Sequence, residues 1–486
     1  MNLKTSFILT ILFLLLGTFA LFDPLRLKEK KEEQKSKDTK ALWLKDAKIE
    51  WFALNANNIR VMLECEISDG CNFDGQGKWK TIEPAKDKGD AANIGAFLSA
   101  MKNLTPVEQV DIEASESLTE YGLDKPNAMV EFKLKGSSNI DYIKLGNASV
   151  IGSNVYAYTS MSPQKIFLVA SNFSEQMKKD FFHWRNKKFF PTLEANEVKV
   201  LSWRNKKKNI FEFEHQGENW FFKKPIQAKT NQQIIDGLLN TILYLQVEKI
   251  AFDDKTSIDA KKILQQEPIL QVFLESEKKS ELIFYKKNKK ESGVKEQYYA
   301  VSPERNNIAL VDAAALDRFN RDLIAFRDRK ILSLEEKNSI EQLELHFPKE
   351  KKQITLERSG ADWKRKDGSE WKGILSQTRI KNFIDALGIA EAVNIVTEKN
   401  NPLDKYVDLK LVITKNDKTK RDFRFLLKSK RYAVTKGELA NEFKLMGEDF
   451  LKVLPIRFND LEEKANKKVI VEEKRDGQHE HTHSSQ

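Results

Sequence analysis

Residues Glu218–Pro225 read ENWFFKKP, a short strand-like run around a tryptophan, closed by a proline just before a helical pattern. The phrase recurs as GKWKTIEP at Gly77–Pro84 and as ADWKRKDG at Ala361–Gly368. From Trp79 to Trp220 is 141 residues, and from Trp220 to Trp363 is 143. A second phrase ends each unit: HWRNKKFF at Arg185, AFRDRKIL at Arg327 and PIRFNDLE at Arg457, spaced 142 and 130 residues apart. Two independent markers with nearly one period identify an internal repeat.

Each unit opens on strands of period-two alternation: Ile49–Leu54 and Ile59–Ile67, Val198–Trp203 and Asn209–His215, Ile340–Phe347 and Gln353–Arg358. Alternation marks half-buried strands, clearest in Phe211/Phe213 and Leu343/Leu345/Phe347. After the Trp strand, apolar residues fall at helical spacing: Ile94, Phe97, Leu98, Met101, Leu104, then Ile234, Ile235, Leu238, Leu239, Ile242, then Ile380, Phe383, Ile384, Leu387. Four further strands and a short helix complete the unit. The fold class read from this is α+β: an N-terminal transmembrane helix, then three tandem mixed α+β repeats of about 140 residues. The boundaries read are 1–4, a short leading segment; 5–22, an anchor; 23–44, a charged linker; 45–189, 190–332 and 333–466, the repeats; and 467–486, a disordered tail.

Composition limits function. In 486 residues, 40% are hydrophobic and 32% charged, enough apolar material for ordinary cores and too polar for a polytopic membrane protein. Two cysteines exclude a disulfide-dense scaffold and a four-cysteine zinc site. The 82 basic residues are offset by 72 acids, and no compact nucleic-acid-binding motif occurs, so no nucleic-acid partner is expected.

Thr5–Phe22 carries no charge and, at about 1.5 Å per residue, is long enough to span a hydrocarbon layer. An uncleaved inner-membrane anchor is the expectation; a cleaved signal peptide is the rival, with Thr18-Phe19-Ala20 a poor cleavage pattern. Lys4 ahead of the apolar run resembles a translocation signal. The seven Lys and Arg between Arg26 and Lys40 argue the other way. Cys65 and Cys71 flank a Ser68-Asp69-Gly70 turn that brings them within reach of a disulfide, two unpaired buried thiols being the alternative. The reading adopted is a periplasmic body on a single-pass anchor.

The first unit carries EYGLDKPNAMVEF at Glu120–Phe132, LGNASVIGSNVYAY at Leu145–Tyr158 and IFLV at Ile166. With the N-terminal span and the strand–Trp–Pro element, it resembles the bacterial domain-of-unknown-function family encoded beside gliding-motility-type ABC transporter components. The later units depart from it, with LQQEP at Leu264–Pro268 and NPLDKY at Asn401–Tyr406 where GLDKP stands in the first. The resemblance implies a membrane-tethered accessory of an ABC-type export system, with the permease as partner and no catalytic residues to carry over.

The candidate residues have structural readings. Gly122, Asp124 and Pro126 suit a turn. Arg185, Arg327 and Arg457 suit salt bridges or helix-end caps at the domain junctions, an anion clamp being the sharper alternative. Trp79, Trp220 and Trp363 suit core packing, a glycan platform being the alternative. Lys286–Lys290 and Arg204–Lys208 suit hairpin tips, or contacts to anionic lipid or polysaccharide. His479, His481 and His483 are metal-binding types in a tail with no preformed site. No GxSxG, HExxH, P-loop or GxGxxG occurs in a credible setting, so no enzyme, cofactor or metal is assigned.

Overall fold

A computed structural model describes residue 44 and residues 47–463, apart from 75–76, 113–117, 151, 288–294, 367–372 and 399–400. The anchor at Thr5–Phe22, the His-containing tail and all of the linker but Leu44 lie outside the described residues. Among the described residues, no helix is long and apolar enough to cross a membrane.

The first repeat contains β1 (Ile49–Ala56), β2 (Ile59–Cys65), β3 (Trp79–Glu83), β4 (Asp87–Lys88), α1 (Ala91–Lys102) and β5 (Glu108–Asp111). β6 (Ala128–Leu134), β7 (Asp141–Ala148), β8 (Asn154–Thr159), β9 (Lys165–Ala170) and α2 (Ser171–Met177) follow, with a 3₁₀ turn at Phe181–Trp184. These strands make one antiparallel sheet in the order β4-β3-β2-β1-β6-β7-β8-β9-β5. Alternation puts Phe52, Leu54, Leu63, Val130 and Phe132 on one face, where α1 buries Ile94, Phe97, Leu98 and Met101. Each such side chain contributes about 1.5–3 kcal/mol by leaving water. Asp90 caps α1, its side chain accepting from the Asn93 N–H at 3.0 Å.

The placement of β5 explains the GLDKP element. β5 pairs with β9 at one edge, whereas β6 pairs with β1 at the centre, so the chain between them must cross the sheet. It crosses the face opposite α1: Tyr121 packs edge-on against Tyr156, 4.9 Å between centroids, and Tyr156 alternates with the buried Val155 and Ala157. The crossing lands at Gly122–Pro126.

The chain forms two compact units, one running to His215 and resuming over Asp236–Asn320, the other comprising Gln216–Ile235 and continuing from Arg321. Besides the first sheet, the first unit holds β10 (Val200–Asn205), β11 (Ile210–Gln216), β14 (Lys249–Phe252), α4 (Ile258–Leu264), β15 (Leu270–Glu275), β16 (Lys279–Lys286), β17 (Gln297–Val301) and β18 (Ile308–Asp312). Here the order β11-β10-β15-β16-β17-β18-β14 repeats the first pattern. α4 makes the same crossing, burying Ala260 with Tyr285, Val301 and Ile308. The chain passes between the units at β12 (Asn219–Lys224), β13 (Ala228–Lys229) and α3 (Gln232–Leu243).

In the second unit β12 pairs with β13. After a 3₁₀ turn at Leu323–Phe326 come α5 (Leu334–Asn338), β19 (Ile340–Phe347), β20 (Lys352–Ser359), β21 (Asp362–Arg365), α6 (Gln377–Ile389), β22 (Ala392–Thr397) and α7 (Pro402–Lys405). β23 (Leu409–Lys415), β24 (Lys420–Leu427), β25 (Ala433–Lys436), β26 (Glu442–Met446), α8 (Glu448–Leu451) and a 3₁₀ turn at Phe458–Leu461 finish it. The order is β21-β20-β19-β23-β24-β25-β26-β22. α7 makes the crossing, burying Leu403 against Val434 and Phe443.

The expected α+β class is corrected; the transmembrane helix expected with it falls on residues outside the described ones. Antiparallel strand accounts for 41% of the described residues and helix for 22%, so the protein is mostly antiparallel β-sheet. The difference lies in elements too short to show a period. The two-residue β4 and the edge strands β5, β14 and β22 add strand, while the first and third sheets each keep a single helix of 12 or 13 residues on the core face.

Candidate functional site

The buried charged side chains of Asp87, Arg185, Arg305, Arg327, Glu442 and Lys444 lie where one repeat meets the next, in two corresponding junctions, each within a single compact unit. In each, the residue after a 3₁₀ turn pairs back onto the segment before the long helix of its own repeat. The Asp90 N–H donates to Trp184 O and the Asn186 N–H to Lys88 O, both at 2.9 Å. Asn231 N–H to Phe326 O and Asp328 N–H to Lys229 O, both 3.0 Å, are the counterparts. In the third repeat they are Ser376 N–H to Leu461 O at 2.8 Å and Glu463 N–H to Ile374 O at 2.9 Å. Arg185, Arg327 and Glu462 thus occupy one structural position, and Lys88, Lys229 and Ile374 another.

At the first junction, Asp87 Oδ2 accepts from Arg185 Nε, Arg305 Nη2 and Asn307 Nδ2, each at 2.8 Å. All three charged side chains are at most 3% exposed. Arg185 Nη1 also pairs with Asp253, whose side chain is half in solvent, so two cations meet two anions. Arg305 Nη1 donates to the backbone oxygens of Asn186 at 3.0 Å and Lys188 at 3.2 Å, gripping the chain as it enters the second repeat. Burial pulls the Arg305 guanidinium below its usual pKa, and Asp87 pulls it back up. Lys88 reaches Glu304 at 3.3 Å on the rim.

The second junction keeps the plan and changes the residues. Arg327 holds Glu442 with both nitrogens, Nη1–Oε1 at 2.6 Å and Nη2–Oε2 at 2.8 Å. The Lys229 N–H donates to the Glu438 carboxylate at 2.9 Å. Lys444, 8% exposed, donates to Lys330 O, and burial lowers its pKa. In both junctions the loop between the last two strands, 302–307 or 437–441, supplies groups that hold the preceding repeat.

Arg457 does not share this role. It is exposed, ahead of the 3₁₀ turn rather than after it, its N–H donating to Asp460 Oδ2 at 2.9 Å. The short spacing of 130 residues already set it apart.

The three Trp residues are buried, at 3%, 2% and 6% exposure, which leaves no platform for a glycan. Trp79 meets the Phe52 ring edge-on at 5.5 Å. Trp220 and Trp363 are clamped by a glutamine opening the next helix: Gln232 Oε1 accepts from the Trp220 N–H at 2.7 Å and Gln377 Oε1 from the Trp363 N–H at 2.8 Å. Ala91 opens α1 instead, and the Gly89 N–H donates to Trp79 O at 2.7 Å.

Gly122 has φ +67°, and a Cβ there would stand 2.5 Å from Asn147 Oδ1. A Cβ on Gly146 would stand 2.1 Å from Tyr121 O, which accepts from the Asn147 N–H at 2.8 Å. GLDKP and LGN are therefore two halves of one lock holding the crossing segment to β7. Asp124 and Pro126 lie in its turn. Cys65 and Cys71 are joined, with Cα atoms 5.9 Å apart, and β2 ends at Cys65 rather than Ile67.

Two clefts lie along strands and a third at a hairpin tip. One of ≈ 390 Å³ is lined by Val200, Phe273, Glu281 and Glu304. Burial raises the pKa of Glu281 there. A second, ≈ 440 Å³, is lined by Lys80, Lys86, Lys88, Glu64 and Glu304, largely paired among themselves. A third, ≈ 450 Å³, is lined by Arg204, Lys206 and Lys208 with Glu267. Arg204–Lys208 form the β10–β11 hairpin tip; residues 288–290 of the other basic run lie outside the described residues. No cluster of His, Cys, Asp or Glu suited to a metal occurs among the described residues.

Sequence reasoning missed Asp87, Arg305, Asn307, Glu438 and Glu442. Arg305, Asn307 and Glu438 lie in loops, Asp87 on the two-residue β4 and Glu442 at the start of β26, and none of these places carries a periodic signal.

A family model described as Domain of unknown function (DUF4340) matches residues 79–268 and, overlapping, 220–407. Both matches begin on a marker tryptophan, Trp79 or Trp220, and run into the landing element of the following repeat. No curated protein and no solved structure matches the chain.

Proposed function

The chain belongs to this family of unknown function, and from that premise we propose that it is a non-catalytic, membrane-anchored envelope protein, an accessory or scaffold component of an ABC-type transport system of the gliding-motility kind. The observation that carries the reading is the use made of its buried charge: Asp87, Arg185, Arg305, Arg327 and Glu442 join repeats to one another. Buried ion pairs with this geometry hold domains in register more than they add stability. The Cys65–Cys71 link supports an oxidising compartment, and Thr5–Phe22 supports inner-membrane attachment.

The test is crosslinking of tagged full-length protein in intact membranes, followed by mass spectrometry. Recovery of permease or ATPase subunits is the expected result; recovery of the protein alone, from the soluble fraction, would overturn the reading. A second reading, a binding module for an anionic polysaccharide or lipid, draws on the cleft where Arg204, Lys206 and Lys208 gather. Loss of binding to anionic vesicles or polyuronate in an Arg204→Ala/Lys206→Ala/Lys208→Ala variant would favour it.

A further inference from the structure

The outward face of β16 carries a carboxylate with no counter-charge. Leu282 and Phe284 on that strand are buried in the core, so Glu281, Ile283 and Tyr285 face the other way. There α4 covers Ile283 and Tyr285, which pack with Ala260 and Ile263. Two residues back along the same face, Glu281 lines the cleft of ≈ 390 Å³. Sheets of the other repeats neutralise such outward acids themselves. Glu131 on β6 pairs with Arg60 on β2, and Glu344 on β19 pairs with Lys420 on β24 at 3.1 Å. The Glu281 carboxylate makes no ion pair or hydrogen bond among the described residues. Lys279, the lysine of the cleft lining, is 82% exposed and turned to Glu275 at 3.6 Å, while Glu304 is held by Lys88 at 3.3 Å. Burial, with no cation to oppose it, raises the Glu281 pKa.

What stands opposite Glu281 defines the ligand. The register sets Glu281 against Phe273 on β15, and Phe273 against Ser202 on β10. Directly opposed residues on one face have Cβ atoms about 4.5–5.5 Å apart, so a group bound to the carboxylate meets the Phe273 ring. Phe273 sits on a strand with a neighbour on each side and is still 36% exposed. Val200 and Pro303 extend the apolar wall. A free carboxylate beside an aromatic face suits a cation with an organic body, because the ring attracts the charge and its surroundings cover the body. A metal ion needs several oxygen ligands, and here one carboxylate is free. The backbone of β15 is taken up by β10 and β16, so a partner's peptide cannot add to it as a strand. The volume lies at the lower end of the range of about 300–1,000 Å³ typical of small-molecule sites.

Going beyond the scaffold reading, we propose that the cleft walled by Val200, Phe273 and Glu281 binds a small organic cation. Its ammonium or guanidinium group pairs with the Glu281 carboxylate, and its apolar body lies on Phe273 and Val200. The ligand thus supplies to the second sheet the positive charge that Arg60 and Lys420 supply to the other two. All the lining residues belong to one compact unit, so the site is complete within it.

The experiment is calorimetric titration of the full-length protein with phenethylamine and with 2-phenylethanol, which share a body and differ in the cation. The amine should bind at least tenfold more tightly than the alcohol. Glu281→Gln, which keeps the shape and removes the charge, should reduce that preference below threefold. Phe273→Ser should weaken the amine at least fivefold, and Glu175→Gln on α2, whose acid is exposed, should leave it unchanged. Ser202→Lys, which brings an amine onto the same face with Glu281 intact, should also abolish amine binding. Equal binding of the two probes, no binding of the amine at millimolar concentration, or a preference that survives Glu281→Gln overturns the proposal. An acetylated Gly-Lys-Gly amide should bind at least tenfold more weakly than phenethylamine. Binding within tenfold of the amine, or tighter, would make the occupant a side chain of a partner protein and overturn the small-molecule assignment. Crosslinking to transporter subunits, or its failure, changes none of these readouts.

Discussion

Arg327 and Glu442 lie 115 residues apart and meet as a two-pronged ion pair, their side chains 2% and 11% exposed. A guanidinium fits a carboxylate in this way only when both are oriented, so the pair fixes the register of the loop at 437–441 against the 3₁₀ turn at Leu323–Phe326. Truncation of one partner strands a buried charge. Arg327→Ala or Glu442→Ala should each cost roughly 3–5 kcal/mol, and Arg327→Met/Glu442→Met should recover most of that. Urea denaturation of the three variants measures it. A cost below about 1 kcal/mol for both single variants would show that water reaches the pair and that it does not hold the junction.

The glycine lock of the first repeat gives a sharper steric test. Gly146→Ala drives a methyl group to 2.1 Å from Tyr121 O, a backbone atom that cannot swing aside. Gly122→Ala combines a left-handed backbone with a 2.5 Å approach to Asn147, whose side chain can turn away. Gly146→Ala should therefore destabilise more, by at least about 3 kcal/mol against roughly 1–2 for Gly122→Ala. Equal thermal shifts in the two variants would mean that the crossing segment moves freely over β7.

The contrast between these sites shows what could be read in advance. Trp79, Trp220 and Trp363 announced the repeat because a large aromatic residue closing an alternating run is a local pattern. The strands and the core face of each long helix followed from period alone, as Phe211/Phe213 and Ile380/Phe383/Leu387 show. Asp87 gave no such sign, because its partners Arg305 and Asn307 are 218 and 220 residues away and a lone Asp near a proline reads as a turn. Arg457 misled for a related reason. Its aromatic neighbours copied the marker, but the position after the 3₁₀ turn, set by hydrogen bonds from Ser376 and Glu463, belongs to Glu462. β5 and its equivalents escaped because four- to six-residue edge strands show too few alternations to establish a period.

The link between Cys65 and Cys71 closes a small ring, so its entropic effect on the unfolded chain is modest. Cys65→Ser/Cys71→Ser should lower stability by about 2 kcal/mol. The disturbance should stay near the Ile49–Cys71 backbone bridge, where each residue's N–H donates to the other's oxygen at 2.9 and 3.0 Å. Hydrogen exchange would show faster labelling at the start of β1 and unchanged labelling in β23. In cells, a membrane-impermeant thiol reagent should label the native protein only after reduction. Labelling without reduction would show free thiols and remove the argument for an oxidising compartment.

Lys444 supplies the pH dependence of the second junction. Burial depresses its pKa, Arg327 and Lys229 add to the effect, and Asp328 and Glu438 oppose it. A lysine whose folded pKa lies below the unfolded value of about 10.4 binds fewer protons folded than unfolded between those two values. Stability from this group therefore rises with pH across that window, and the penalty for burying the ammonium is fully present below it. Lys444→Met removes the penalty along with the bond to Lys330 O. The difference in unfolding free energy between the native protein and the variant should shift in favour of the native protein as pH rises towards 10. Tyr142, Tyr285, Tyr298 and Tyr299, whose pKa values burial raises, act on both proteins alike and cancel in the difference. Urea midpoints at pH 7, 8.5 and 9.5 decide it. A difference that stays flat across the three would mean that Lys444 keeps its ordinary pKa in solution and that the second junction is wetter than its burial indicates.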